Sequence, residues 1–289
     1  MSAKLRHILT AVMVTVALLA PGYGRAQLLS TDTASPQQMT QLADSVKQEY
    51  DLGPYFGLYK DNYFTVGTSI GYKPTAQNSD VKFQISLAIR LTNAVLPWGT
   101  YLYLFYTQKT FWNVFENSLP MRDMNFNPGL GLTKPFYVKG KYIGKMSLII
   151  EHESNGRDSI WSRSWNRISL SGSVLVTRNL LVHAKYWIPI VDSGNNRDLL
   201  KYAGIFQWGF NLMSHNRKFQ GGATFVKRSG WNFKWNAILD FSWRVSKKTN
   251  LNLFAQYYYG YAENLIDYNQ LHSRLRVGIV FKPKFFSEY

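Results

Sequence analysis

Residues 164–176 read SWNRISLSGSVLV, and their side chains alternate between two chemical classes. Isoleucine, leucine or valine occupies positions 168, 170, 174 and 176, whereas arginine or serine occupies positions 167, 169, 171 and 173. Successive side chains of a β-strand point to opposite faces of the sheet. The stretch therefore predicts a strand with one apolar face and one polar face.

The same period of two continues on both sides of this stretch. In residues 81–91, VKFQISLAIRL, the odd positions are apolar and most even positions are polar. We count about twelve such segments of 8 to 14 residues, separated by turn-forming clusters such as SGNNRD and SHNR. The segments lie at 63–73, 81–91, 101–112, 125–136, 145–155, 164–177, 180–190, 202–213, 218–227, 232–245, 250–261 and 272–284.

The aromatic content distinguishes between the folds that such strands can build. A soluble β-sandwich also alternates, but it closes its apolar face onto a second sheet. This chain combines long strands with 19 tyrosines and 9 tryptophans and ends in an aromatic residue, Tyr289, as exported barrels commonly do. Outer-membrane barrels use strands of about 10 residues, with apolar side chains outward and aromatic residues at both interfaces. We therefore predict an all-β fold, a twelve-stranded antiparallel transmembrane β-barrel over residues 61–289.

The chain before the barrel has the features of an export signal followed by a short segment. Lys4 and Arg6 precede an apolar run shorter than the about 20 residues that a membrane-spanning helix needs, and small residues follow it. We expect a removed signal peptide at 1–26 and an N-terminal periplasmic segment, helical or irregular, at 27–60. Ser35 followed by Pro36 indicates a helix start there. Without cysteine, this exported chain has no disulfides and no thiol chemistry.

The formal net charge of +16 raises the question of a nucleic-acid partner. The basic residues are scattered through strands and turns and are not gathered in blocks, which argues against nucleic-acid binding. An exported barrel meets outer-membrane lipids and lipopolysaccharide instead. Their anionic head groups are the counter-charges that we expect.

A second stretch, EHESNGRDSIWSRSWNR at 151–167, places polar residues on the apolar face. In the preceding KMSLII most apolar residues are at even positions, so His152 and Ser154 continue the lipid-facing side, while Glu151 and Glu153 point to the lumen. Asn166 shares the parity of the apolar positions in the following strand. All three polar groups, at 152, 154 and 166, are therefore predicted to face outward.

Pairing across the hairpin brings these groups together. A turn centred near Ser159 places Asn166 opposite His152, with β-carbons about 5 Å apart. Ser154 lies two residues along the same face, about 6.6 Å away. A base-activated nucleophile needs a serine, a histidine and a group that orients the histidine. A lone histidine would be an interfacial polar residue of no special role, but three groups with matching parity and pairing favour a hydrolytic site.

Asparagine takes the place that aspartate usually has in such a trio. A carboxylate on a lipid-facing wall loses its hydration, whereas a neutral amide oxygen still holds the imidazole in one tautomer. Because an amide stabilises imidazolium less, we expect another group to help stabilise the developing negative charge.

Several stretches of this chain resemble outer membrane phospholipase A. They are HESNGR at 152–157, SRSWNR at 162–167, YTQK at 106–109, VKFQISLA at 81–88 and LIDYN at 265–269, in the family's order and spacing over most of the chain. The resemblance implies a twelve-stranded barrel with an Asn-His-Ser site on its outer wall. It also implies a calcium-dependent homodimer that hydrolyses acyl esters of phospholipids.

The resemblance gives each matching residue of the trio a role. Ser154 would be the nucleophile, His152 the general base and acid, and Asn166 the residue that orients the histidine. The backbone amides of Ser154 and Gly156 would be the oxyanion donors.

The resemblance also implies a set of calcium ligands. They would be the backbone carbonyl of Arg157, the hydroxyl of Ser162 and, from the partner chain, the hydroxyl of Ser118. Calcium prefers such hard oxygen ligands and would polarise the ester beside the oxyanion. The loop NSLPMR at 117–122 departs from the family, because it is shorter and Leu119 replaces a serine.

The expected dimer contact centres on Gln108. This residue has the even, lipid-facing parity of LYLFYTQKT at 102–110, and the resemblance pairs it with Ile85 and Leu87 on the adjoining strand as apolar partners. A polar residue paired across a membrane interface contributes about 0.6 to 2 kcal/mol. Such a value fits a reversible dimer.

Two other readings of the sequence compete with the lipase. GTSIG at 67–71 matches the G-x-S-x-G nucleophile elbow, but Ser69 lies within a strand pattern and no helix follows it, as that motif requires. The rival function is a passive channel or structural barrel. In that case the lumen residues Glu151, Glu153 and Arg167 would matter more than His152.

Overall fold

The computed structural model describes residues 56–92, 95–138, 141–190, 194–230, 232–246 and 251–282. The predicted signal peptide at 1–26, the helix start at Ser35 and Pro36, and the terminal Tyr289 lie outside these residues. None of the helices in the described ranges is long and apolar enough to cross a membrane.

Thirteen strands make up one antiparallel sheet within the described ranges. They are β1 Phe56–Leu58, β2 Asn62–Ser69, β3 Ser79–Arg90, β4 Tyr101–Trp112, β5 Met121–Val138, β6 Lys141–Ser154, β7 Ser164–Thr177, β8 Leu180–Ile190, β9 Phe206–Met213, β10 Phe219–Lys227, β11 Trp235–Arg244, β12 Leu251–Gly260 and β13 His272–Phe281. One short helix, α1, spans Leu200–Ala203, and single 3-10 turns form at Pro97–Gly99, Ser159–Trp161 and Gly194–Asn196.

The sheet closes into a twelve-stranded barrel, as predicted. From β2 onward each strand pairs with the next along the chain, and β13 pairs with β2. The short β1 pairs with the far end of β3, beyond the residues that β2 uses, so β1 and β2 together occupy one position. At the break between them the side chain of Asn62 accepts a hydrogen bond from Ser86 N (2.5 Å) and donates one to Ser86 O (3.0 Å), which replaces the missing ladder bonds.

Most strand ends lie within a few residues of the predicted ones; β5, for example, begins at Met121 and not at residue 125. Two further differences concern the start of the sheet and the start of β9. The sheet already begins at Phe56, inside the segment 27–60 that the sequence analysis placed before the barrel. Strand β9 begins at Phe206 and not at residue 202, because α1 ends in a tight cap at Gly204, whose φ of 72° suits glycine. Neither shift changes which side chains face outward along the strands.

The alternation of the sequence becomes two chemically different faces. The outer face carries exposed apolar side chains, among them Phe64, Val66, Ile85, Leu104, Leu130, Leu148, Ile150, Ile168, Ile188, Leu212, Leu239, Leu253, Leu275 and Val277. Apolar side chains on this face bury their surface in lipid and not in a protein core.

The lumen holds buried charges that pair with one another. Arg276 donates to Asp80 (2.7 Å) and to Glu263 (2.6 Å), and Lys82 also donates to Glu263 (3.1 Å). Buried charges persist only when they are paired in this way. A cavity of about 230 Å³ remains between the lumen side chains.

The loop at 261–271 anchors one end of the barrel. The backbone amides of Leu265 and Ile266 donate to the buried carboxylate of Asp123 (2.9 Å each). Burial would raise the pKa of Glu263 in the same loop, but Arg276 and neighbouring cations outweigh it and hold this pKa well below 4.5. The loop is therefore tied to the barrel by charge and lies at the same end as the loop that follows β6.

Candidate active site

The site is built on the hairpin of β6 and β7. Its register pairs His152 with Asn166 and Ser154 with Ser164, which is the pairing that the sequence predicts. The flanking odd residues are buried in the lumen, whereas His152 is exposed on the outer face. Period-two geometry thus puts 152, 154 and 166 on the same outward surface.

The imidazole and the amide touch. His152 Nδ1 lies 2.9 Å from Asn166 Oδ1. An amide oxygen can only accept a hydrogen bond, so a neutral imidazole in this contact carries its proton on Nδ1 and keeps a lone pair on Nε2. The contact therefore leaves the histidine in the tautomer that a general base needs.

Ser154 lies on the same face without a hydrogen bond to the histidine in the described structure. In the part of the chain that the structure describes, neither the Ser154 hydroxyl nor His152 Nε2 has a hydrogen-bond partner. Both groups are thus available to each other and to a substrate. Catalytic hydrogen bonds of this type are often long in free enzymes and shorten when substrate binds.

A buried asparagine that the sequence analysis did not select shapes the loop after Ser154. Asn155 Oδ1 accepts a hydrogen bond from Arg163 N (2.9 Å), and Asn155 Nδ2 donates to Trp161 O (2.9 Å). One side chain thus closes the loop of residues 156–163 across its base. Its position directly after the candidate nucleophile in ESNGR was the only signal in the sequence.

Gly156 makes the first turn of this loop. Its φ of 64° is a conformation that favours glycine, and a β-carbon there would lie 2.9 Å from the ring of Phe126. The chain can therefore turn sharply just after Ser154, as the predicted amide donors at Ser154 and Gly156 require.

Two of the predicted calcium ligands lie in the same loop. The guanidinium of Arg157 donates to the carbonyls of Arg122 (2.7 Å) and Met121 (3.2 Å), which fixes this part of the loop to β5. Within the described ranges no group donates to the Arg157 carbonyl, and the Ser162 hydroxyl has no partner. Both oxygens are free to bind a cation, and they are the kind of ligand that calcium takes.

The third predicted ligand, Ser118, lies in the loop between β4 and β5. Ser118 and Leu119 both have positive φ, of 66° and 45°, and Trp112 Nε1 donates to Leu119 O (2.9 Å). The loop is thus held in a strained turn at the end of β4. Clusters of three or more His, Cys, Asp or Glu that would suit a metal do not occur among the described residues.

Gln108 lies on the outer face of β4, opposite Ile85 of β3. Tyr106 Oη donates to Gln108 Oε1 (2.9 Å), and Gln108 Nε2 donates to Thr110 (3.3 Å). Leu87 follows two residues along on β3, so the predicted contact residues are neighbours. The amide still has one donor and one lone pair to offer.

Behind the trio, the lumen side of the hairpin is densely charged. Arg167 donates to Glu151 (2.9 Å) and Glu153 (2.6 Å), and Lys185 also donates to Glu151 (2.5 Å). Asn127 of β5 completes the group by accepting from Arg167 (3.3 Å). The sequence predicts the lumen position of the charged residues, but not the part that Asn127 plays.

The chain matches the family model described as Phospholipase A1 over residues 39–281. It is 32% identical over 228 residues to phospholipase A1 of Escherichia coli K12, which covers 75% of this chain and 74% of that protein. It is 29% identical to phospholipase A1 of Salmonella typhimurium, with 99% of this chain and 100% of that protein covered.

Solved structures agree with these sequence matches. Outer membrane phospholipase A from Escherichia coli is 29% identical, with a TM-score of 0.69 over 80% of this chain and 99% of that one. The outer membrane phospholipase of Salmonella typhi, a dimer with bound calcium, is 28% identical, with a TM-score of 0.70 over 86% and 99%. This chain therefore belongs to the phospholipase A1 family and is an outer-membrane β-barrel enzyme that acts as a phospholipase.

Proposed function

We propose that this chain hydrolyses the acyl esters of phospholipids, including lysophospholipids, by a Ser-His-Asn mechanism on the lipid-facing wall of the barrel. The observation that carries the proposal is the 2.9 Å contact between His152 Nδ1 and Asn166 Oδ1 on the outer face, two residues from Ser154. A phospholipid enters this site sideways from the membrane, so its ester does not have to cross the lumen.

In the proposed reaction His152 Nε2 takes the proton of Ser154 as its oxygen attacks the acyl carbonyl. The amides of Ser154 and Gly156 donate to the oxyanion. Protonated His152 then gives the proton to the leaving alcohol, and water releases the fatty acid by the same steps. Asn166 keeps the imidazole in one tautomer throughout.

Calcium is part of the proposal, by analogy with the calcium-bound Salmonella typhi enzyme. The Arg157 carbonyl and the Ser162 hydroxyl are the ligands from this chain, because both are unoccupied by hydrogen bonds in the described structure. Bound calcium would supply positive charge beside the ester carbonyl and so stabilise the developing oxyanion. The neutral Asn166 cannot give this stabilisation.

The proposal includes a homodimer, since the Salmonella typhi enzyme is a dimer. Gln108, Ile85 and Leu87 would form its membrane-embedded contact, and the partner's Ser118 would add a calcium ligand. Dimerisation would also control the activity, because an always active lipase would damage its own membrane. At the end of the barrel that carries the loop after β6, exposed Lys73, Arg157 and Arg197 would face the phosphates of lipopolysaccharide.

Hydrolysis of phospholipid in mixed micelles tests the catalytic assignment. We expect Ser154→Ala to reduce the rate by about 10⁴-fold or more without loss of folded protein, because it removes the nucleophile. Ser164→Ala is the matched control, since Ser164 lies directly across the hairpin and keeps the same outward face. We expect the control to retain its activity and a calcium chelator to remove activity from both the control and the unchanged chain.

Three outcomes would contradict all or part of the proposal. Hydrolysis that survives Ser154→Ala would exclude this serine as the nucleophile. Hydrolysis that is insensitive to chelation would exclude the calcium role but leave the trio in place. If lumen substitutions such as Glu153→Gln altered ion conductance while no preparation released fatty acid, a channel would be the better account.

A further inference from the structure

Strand β5 carries a proline directly opposite His152. The flanking pairs are Phe126 with Ser154 and Gly129 with Glu151, and this register brings Pro128 level with His152. Proline has no backbone N–H and cannot donate to a neighbouring strand. The ladder between β5 and β6 accordingly has no pairs between these two flanking ones, at residues 127 and 128 of β5.

The backbone of His152 turns toward this gap. In antiparallel sheets both main-chain groups of one residue point to the same neighbouring strand, and successive residues alternate. Asn155 N donates to Arg163 O (3.0 Å), so the odd residues of β6 face β7 and the even ones face β5. The His152 carbonyl therefore points at Pro128, where no backbone donor exists.

A side chain from the lumen supplies the missing donor. Asn127 Nδ2 donates to the His152 carbonyl at 2.7 Å. Asn127 Oδ1 accepts from Arg167 Nη2 (3.3 Å), and Glu151 and Glu153 hold that guanidinium in turn. Asn127 is only 8% exposed, so the amide is anchored on both of its polar atoms inside the barrel.

The same geometry explains why the imidazole meets its partner. Since the main-chain groups of His152 face β5, His152 and Asn166 form a non-hydrogen-bonded pair, the type in which cross-strand side chains come closest. A change in the path of β6 at residue 152 would lengthen the contact between the two side chains.

We propose that Asn127 is a positioning residue for the hydrolytic reaction. It replaces the ladder hydrogen bond that Pro128 cannot make, and it fixes the main chain at His152 so that the imidazole keeps its place beside Asn166 and Ser154. This inference rests on the proposed catalytic role of His152. It gives the charged lumen cluster of Glu151, Glu153 and Arg167 a part in activity, through the backbone and not through contact with substrate.

Restoring the backbone donor provides the sharpest test. In Asn127→Leu the His152 carbonyl loses its donor, and we expect kcat to fall about tenfold with KM unchanged, because misplaced catalytic groups slow the chemical step. Pro128→Ala alone is expected to be nearly neutral. In the double variant Asn127→Leu with Pro128→Ala, the new N–H of residue 128 can donate to His152 O, and we expect most of the lost kcat to return.

Two further variants, Asn127→Asp and Asn252→Leu, complete the set. Every variant is assayed as the full chain in mixed micelles, and its folded fraction is measured by heat-dependent gel mobility. The aspartate keeps the acceptor for Arg167 but lacks the donor, so it should fold and show the same fall in kcat. Asn252 also donates from the lumen to a backbone carbonyl, Val280 O (3.5 Å), but lies in β12, and its leucine variant should keep full kcat.

The outcomes separate this inference from the proposed function. Wild-type kcat in both Asn127 variants, with Ser154→Ala inactive, would overturn the positioning role alone. An equal loss in Asn252→Leu, or no recovery in the double variant, would reduce Asn127 to a general structural residue and also overturn it. Hydrolysis that persists in Ser154→Ala would overturn the proposed function and this inference together.

Discussion

The two faces of the β6–β7 hairpin differ sharply in how completely their polar groups are paired. On the lumen face Arg167, 8% exposed, donates to two carboxylates, and Lys185 donates to one of them. On the outer face His152 makes a single side-chain contact, to Asn166, and within the described chain the Ser154 hydroxyl makes none. Both faces belong to the same two strands, since lumen and lipid positions alternate along each strand.

This contrast separates stability from chemistry within one hairpin. The charged lumen groups hydrogen-bond to one another, so they fix the register of β6 against β7 and β5. The outer groups keep unused lone pairs and protons, which a reaction requires. A barrel wall can therefore hold a reactive patch in lipid without a surrounding cleft, because the rigidity comes from the opposite face of the same strands.

The largest effect on this contrast between the two faces is expected from Arg167→Met. It leaves Glu151 and Glu153 as neighbouring buried carboxylates without their shared cation, and breaking a buried ion pair in this way costs about 3 kcal/mol. We expect a lower urea midpoint for unfolding in detergent, measured by tryptophan fluorescence. Activity per folded molecule should fall far less than in Ser154→Ala. A variant as stable as the unchanged chain would show that the lumen charges do not support the hairpin.

The strands were predictable from the sequence because the period of two is strict where one face meets lipid. The predicted and observed bounds of β4, β7 and β8 agree at both ends. Two departures have a visible structural cause. The break before β2 is closed by the amide of Asn62, and the start of β9 is set by the helical turn at 200–203, neither of which alters hydrophobic periodicity.

The site was predictable only in part. Parity and hairpin pairing suffice to bring Asn166 to His152, because both follow from residue numbers along two strands. Asn127 and Asn155 act through main-chain atoms, and their partners depend on the register of a third strand and on the path of a loop. Pro128 was the available signal for Asn127, since a proline within a strand requires a substitute donor. The sequence alone does not say which side chain provides it.

An intermediate effect is expected on the outer face at Asn166, the direct neighbour of Arg167. Asn166→Ala removes the acceptor from His152 Nδ1, and we expect hydrolysis to slow about tenfold, which is ~1.4 kcal/mol in the barrier. Asn166→Asp keeps an acceptor oxygen, so it should be within about threefold of the unchanged chain. Unfolding midpoints should hardly move in either, in contrast to Arg167→Met. If the aspartate variant were as slow as the alanine variant, the orienting role of Asn166 would be wrong.

The smallest effect concerns Gln108, an outward polar residue that already has partners in its own strand. Its amide bonds to Tyr106 and Thr110 and keeps one donor and one lone pair for a second chain. We expect Gln108→Leu to weaken the dimer by about 0.6 kcal/mol, since polar contacts between membrane segments average about that value. Sedimentation equilibrium in detergent would measure the shift toward monomer. Gln84→Leu is the control, because Gln84 lines the lumen one strand away and bonds to Asp61 O. An equal shift in both variants would mean that outward placement of Gln108 has no bearing on assembly.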